Sequence, residues 1–117
     1  MGRTVLIVDD HPAFRSAARA LLEDAGFDVV GEAADGESAL ASVTELRPEM
    51  VLLDVQLPDL DGFAVAERLG ADGDPVAIVL TSSRGVTSFR RRLAANPDWR
   101  FISKSELSGE ALAAALR

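Results

Sequence analysis

The 117-residue chain contains no cysteine. That excludes a disulfide framework, a thiolate metal site and a thiol nucleophile together, and it fits a reducing cytosol. No apolar run approaches the ~20 residues of a membrane-spanning helix. The apolar start, Val5 to Val8, is too short for the core of a secretory leader. A cytoplasmic protein with no membrane partner is therefore expected. Positive charge is also scarce. Lys and Arg total 12 against 19 Asp and Glu, for a net charge of -7, which argues against this domain gripping nucleic acid through its phosphates. Arg90-Arg91-Arg92 is the local exception, and its plain reading is a solvated helix side. No repeat, low-complexity segment or linker interrupts the chain, and its length suits one domain with its own core.

Strand-like and helix-like stretches alternate five times along the sequence. Thr4 to Val8 is unbroken and β-branched, as a parallel strand covered on both faces should be. Pro12 suits the first turn of a helix, where its missing N–H leaves nothing unsatisfied. Phe14, Ala17, Ala18, Leu21, Leu22 and Ala25 follow at helical spacing, and Gly26 ends that helix. Phe27 to Ala33 predicts a second, weaker strand. Asp35 caps a second helix with Ala39, Leu40 and Val43 on its inner face, and Pro48 stops it. Met50 to Leu53 predicts the third strand, followed by a turn-rich loop, Leu57 to Gly62, and a helix carrying Phe63, Ala66 and Leu69. Asp72-Gly73-Asp74-Pro75 breaks that helix before a fourth strand, Val76 to Leu80. Val86 to Ala95 predicts a fourth helix with Phe89 and Leu93 inward, closed by Asn96-Pro97. Trp99 to Ile102 reads as a short fifth strand and Ser108 to Leu116 as a closing helix. Such alternation argues for an α/β domain, a parallel sheet with helices on both faces.

Four of the five strands end on polar or charged residues. Asp9-Asp10 follow the first, Asp54 the third, Thr81 the fourth and Ser103-Lys104 the fifth. In an open parallel sheet the crevice outside the carboxyl ends of the strands is where ligands bind. Each residue has a plain reading alone: Asp9-Asp10 as a helix start, Asp54 as a solvated acid, Thr81 as a strand residue, Lys104 as a surface lysine. Their coincidence on one sheet edge favours a site. Three clustered carboxylates repel one another and call for a cation. A hard, oxygen-ligated ion such as Mg²⁺ suits them.

These residues, with Pro58 and Gly62 in the loop after the third strand, closely resemble the receiver domain of bacterial two-component response regulators. The resemblance runs along essentially the whole chain, residues 1–117. Val8-Asp9-Asp10-His11-Pro12 with Phe14-Arg15 is most similar to the subfamily that often carries a C-terminal helix-turn-helix output domain. The resemblance implies a (βα)5 doubly wound, five-stranded sheet of flavodoxin-like order 2-1-3-4-5. It implies that Asp54 is the phosphoacceptor for a sensor histidine kinase. Asp10 and Asp54 would bind Mg²⁺ directly with the Gln56 backbone carbonyl, and Asp9 mainly through water. Lys104 and Thr81 would each contact a phosphoryl oxygen.

By the same resemblance Phe101 is the switch aromatic, rotating inward as Thr81 moves toward the phosphoryl group; its plain reading is a core aromatic. The output surface would be the fourth helix, fifth strand and fifth helix, open to an output domain, a partner protein or a phosphorylation-dependent homodimer. Gln56 and Ser83 would flank the hydrolytic water and set the phosphoryl lifetime. His11, the only histidine, reads as a loop residue and carries little weight as a phosphodonor or ligand. Residues 94–100 depart from the commoner Gly/Ala-rich approach to the fifth strand, which leaves the fourth-helix geometry open. Such a domain is a phosphoacceptor, not a turnover enzyme on external substrates. The alternatives are a constitutive protein-interaction module on the same fold and an acid-phosphatase-like enzyme. The complete set of site residues argues against the first, and the lack of a segment to enclose a substrate against the second.

Overall fold

The structure, a computed structural model, describes residues 3–71 and 76–115. Its five strands form one sheet in the order β2-β1-β3-β4-β5, and every neighbouring pair is parallel. The strands are β1 (Thr4–Val8), β2 (Asp28–Ala33), β3 (Met50–Asp54), β4 (Ala77–Ser82) and β5 (Arg100–Ser103). The helices are α1 (Pro12–Asp24), α2 (Gly36–Leu46), α3 (Gly62–Ala71), α4 (Arg90–Ala94) and α5 (Gly109–Ala115). Turns of 3-10 helix at Val86–Phe89 and Lys104–Glu106 precede the last two.

Successive strand residues point to opposite faces, so the unbroken apolar strands divide into two cores. Val5, Ile7, Met50, Leu52 and Val79 pack with Ala18, Leu22 and Leu112 of α1 and α5. Leu6, Val8, Val51, Leu53 and Leu80 pack with residues of α2 and α3, notably Val43, Phe63 and Leu69. Each fully buried aliphatic side chain contributes roughly 1.5–3 kcal/mol relative to exposure. The central strands therefore form a rigid floor whose carboxyl ends all open on one edge.

Local signals act largely as expected. Asp35 accepts the Ser38 N–H at the start of α2, and Gly26 takes a φ of 92° beyond the end of α1. Gly62 lets α3 start against the end of β3, since any Cβ there would strike the Asp54 carbonyl oxygen. Other details differ. On α1 only Ala18 and Leu22 are fully buried; Ala17 and Ala25 are exposed and Leu21 is 37% exposed. The expected single helix over Val86–Ala95 is a 3-10 turn followed by a short α-helix. The break falls at Phe89 (φ -125°, ψ 9°), after a Val-Thr-Ser run that favours helix poorly. Val76 lies before β4, which instead runs on through Thr81 to Ser82, and Trp99 lies before β5. The expected breaker at 72–75 and Leu116 fall outside the described residues.

Candidate functional site

Asp9 stands one residue past β1 and is fully buried. Its N–H extends the ladder to the Ala33 carbonyl. Its Oδ1 accepts the His11 N–H at 2.8 Å, a turn in which the short acid holds the backbone two residues on. Asp54 ends β3 and is 4% exposed; its Oδ1 accepts the Gln56 N–H at 3.1 Å. Asp10 is the exposed member of the trio.

Lys104 reaches this pair from beyond β5. Its Nζ lies 2.7 Å from Asp9 Oδ2 and 3.2 Å from Asp54 Oδ2. The first is an ion contact without hydrogen-bond alignment, since that oxygen has no aligned donor; the second is an aligned hydrogen bond. Lys104 is the only lysine in the chain, and its ammonium also sits 4.3 Å from the Phe14 ring centroid. A cation over an aromatic face gains further electrostatic support.

Thr81 pairs with Asp54 across the β3–β4 ladder. It is buried, and its Oγ1 has no hydrogen-bond partner among the described residues. An unpartnered buried hydroxyl costs free energy in the resting protein. It also leaves a donor ready for an incoming acceptor beside Asp54.

The electrostatics follow from this crowding. Burial pushes the Asp54 carboxyl above the usual aspartate range, and the Asp9 charge adds to that; the Gln56 N–H and Lys104 oppose it. Burial also pushes Asp9 upward, but Lys104 and His11 together outweigh it, so Asp9 is held below the usual range. Burial disfavours the Lys104 ammonium, yet Asp9 and Asp54 raise its pKa above the ordinary lysine value. Asp9, Asp10, His11 and Asp54 each offer a ligand atom, all within 4.8 Å of one another. Hard carboxylate oxygens in that arrangement suit a small divalent cation.

His11 thus stands closer to the site than its sequence setting suggests. Its Nδ1 lies 3.0 Å from Asp9 Oδ1 and 3.1 Å from Asp10 Oδ1. Gln56 and Ser83 are both exposed, Gln56 at a bridge to Asp61. Phe101 is half-buried with its ring 5.6 Å from that of Phe89. The arginine triplet is exposed, as its plain reading expects, and Arg92 also donates to Asp61 at 3.1 Å and lies 4.0 Å over the Phe63 ring. The sequence places Phe14 on the apolar stripe of α1 and Arg92 in the arginine triplet; the contacts of Phe14 with Lys104 and of Arg92 with Asp61 and Phe63 leave no signal in periodicity or spacing.

Comparisons with known proteins bear on the family and the fold. Residues 5–117 match the family described as the response regulator receiver domain. The virulence-factor positive transcription regulator BvgA of Bordetella pertussis is 37% identical over 115 residues, 98% of this chain and 55% of that protein. The signal receiver domain of the response regulator NarL from Mycobacterium tuberculosis superposes with a TM-score of 0.83 at 30% identity. It covers 98% of this chain and 97% of that one. A two-component response regulator of the LuxR family from Aurantimonas sp. SI85-9A1 gives a TM-score of 0.86 at 26% identity, covering 99% and 83%. The chain spans about half the length of the curated regulators it matches.

Proposed function

The chain belongs to the response regulator receiver domains of two-component signalling, and on that premise we propose that it is a phosphorylation-dependent switch with Asp54 as phosphoacceptor. The observation that carries this reading is the meeting of two buried carboxylates, Asp9 and Asp54, and the Lys104 ammonium from three different strand ends. A carboxylate oxygen of Asp54 attacks the phosphorus of a phosphohistidine on a sensor kinase. The O–P bond forms as the P–N bond breaks, and the imidazole leaves with its electron pair. This is covalent catalysis of the aspartyl-phosphate kind.

Asp10 and Asp54 would hold Mg²⁺ directly, with the Gln56 carbonyl as a third protein ligand and Asp9 acting mainly through water. When bound, the ion supplies positive charge to the phosphoryl oxygens as they enter an anionic site. Lys104 contacts a second phosphoryl oxygen as a compact point charge. The unpartnered Thr81 hydroxyl donates to a third.

Phosphorylation adds roughly -1.5 to -2 charge and three strong acceptors. Thr81 moves to meet them, Phe101 turns into the space it leaves, and the surface of α4, β5 and α5 changes. That surface serves an output domain, a partner protein or a phosphorylation-dependent homodimer. Gln56 and Ser83, at the rim, set how long the phosphoryl group lasts. The domain acts on no external substrate, binds no nucleic acid itself and works in the cytoplasm. In a longer regulator like BvgA it would control transcription. The test is incubation with acetyl phosphate and Mg²⁺, read by intact mass. One phosphoryl group should appear on wild type and on neither Asp54→Asn nor chelator-treated protein. Equal phosphorylation of Asp54→Asn would overturn the assignment.

A further inference from the structure

Asp9 lies just past β1, and its carbonyl belongs to the peptide group that carries Asp10. The direction of that carbonyl therefore fixes the plane from which the Asp10 side chain departs. The donor to it is the Arg15 guanidinium, with Nη1 at 2.6 Å. Arg15 is one turn into α1, and its side chain is only 18% exposed. Its Nε donates at 3.0 Å to Glu32 Oε1 on the neighbouring strand β2. The other oxygen of Glu32 accepts from Arg19 Nε at 2.8 Å. Glu32 pairs with Ile7 in the β1–β2 ladder, so the carboxylate is itself anchored beside β1.

We propose that Arg15, oriented by Glu32, is a positioning residue that sets the Asp9–Asp10 peptide for divalent-cation binding. The inference rests on the reading of the acidic cluster as a metal site. A guanidinium is planar, with donors in a rigid fork; two of them are directed here at acceptors on separate segments, the Asp9 carbonyl past β1 and Glu32 on β2. Charge-assisted bonds of this kind are short and directional. Arg19 first and then Arg15 lower the Glu32 pKa, as a carboxylate held between two guanidiniums should show. Residues that orient ligands without touching the ion commonly alter metal affinity by about 10–100-fold.

Charge and position make opposite predictions at Arg15. Removing the positive charge that Arg15 holds against the Asp9 carbonyl should tighten Mg²⁺ binding if Arg15 acts only by its charge. Removing the donor that sets the peptide should weaken it. The experiment compares wild type, Arg15→Ala, Arg15→Lys and Arg19→Ala by calorimetric Mg²⁺ titration, with amide spectra of the metal-free proteins. Arg19→Ala removes a cation from the same Glu32 without touching the Asp9 carbonyl.

Arg15→Ala should weaken Mg²⁺ binding about tenfold and displace the Asp10 and His11 amide resonances. Arg15→Lys, which keeps the charge and loses the fork, should be weakened nearly as much. Arg19→Ala should bind as tightly as wild type or slightly tighter, with those two resonances unmoved. Unchanged or tighter binding in Arg15→Ala overturns the proposal, as does equal weakening in Arg19→Ala. If wild type itself binds no Mg²⁺, the metal reading falls and the amide arm decides alone. Displacement confined to the Arg15 variants then still shows that Arg15 sets the peptide, and its absence overturns that.

Discussion

The Lys104 ammonium lies 2.7 Å from the buried Asp9 carboxylate, closer than its 3.2 Å approach to Asp54. In the resting protein the lysine is therefore first of all the counter-ion of Asp9, an acid that sees no solvent. Lys104→Ala should leave that charge uncompensated. Breaking a buried pair commonly costs 3–5 kcal/mol; with Lys104 itself 19% exposed, roughly 2 kcal/mol is expected. Urea midpoints in chelator should fall accordingly, and millimolar Mg²⁺ should restore part of the loss by binding the folded state. An unchanged midpoint would remove Lys104 from this role.

Asp54→Asn should do the opposite. Burial and the Asp9 charge raise the Asp54 pKa above its ordinary 3.8. A carboxyl whose folded pKa is raised opposes folding once it ionises, so its penalty is absent below about 3.8 and complete above the folded pKa. Asp54→Asn should therefore be more stable than wild type at pH 7 in chelator, with a higher Tm. That gain should vanish as the pH drops below 4. Asp9 behaves inversely: Lys104 and His11 lower its pKa, so its contribution is present at neutral pH and lost as pH falls through its folded pKa. A gain for Asp54→Asn that persists in acid would contradict the sign.

The legible part of this site was its edge. Runs such as Val5 to Val8, short, β-branched and alternating with helical stretches, read as buried parallel strands, so residues directly after them share the sheet's carboxyl end. Asp9, Asp54 and Lys104 were found in that way. Contacts made across the chain by long side chains left no such trace. Arg15 reaches back to Asp9 and Arg92 to Asp61 because of how helices dock on the sheet, which neither periodicity nor spacing encodes. The fourth helix departs from its periodicity for a related reason. Phe89 and Leu93 show helical spacing, yet their packing against the core is achieved by a 3-10 turn and a five-residue helix.

Thr81→Ala should separate phosphorylation from transmission. The hydroxyl is buried and unpartnered at rest, so its removal should be neutral or stabilise by up to about 1 kcal/mol. Asp54 should still accept a phosphoryl group. Beryllofluoride should then shift amide resonances in residues 84–95 of wild type and leave them largely still in Thr81→Ala. Equal shifts in both proteins would break the proposed link between Thr81 and α4.

Ser83 and Gln56 should govern decay and not formation. Both are exposed at the rim, and the backbone N–H of Gln56 is already committed to Asp54. A bulky or charged replacement of Ser83 should change the dephosphorylation rate by about tenfold, ~1.4 kcal/mol of barrier. Mg²⁺ affinity should stay within twofold in a parallel titration, since no side-chain ligand is altered. Unchanged decay across several substitutions at both positions would place them away from the phosphoryl group.

Asp54, and neither of the neighbouring acids, should carry the phosphoryl group. Borohydride reduces an acyl phosphate to an alcohol and leaves free carboxylates intact. Wild-type protein treated with acetyl phosphate and Mg²⁺, then reduced and digested, should show homoserine at position 54 by peptide mass spectrometry. Homoserine at position 9 or 10, or at no position despite a mass increase on the intact protein, would show that Asp54 is not the phosphoacceptor.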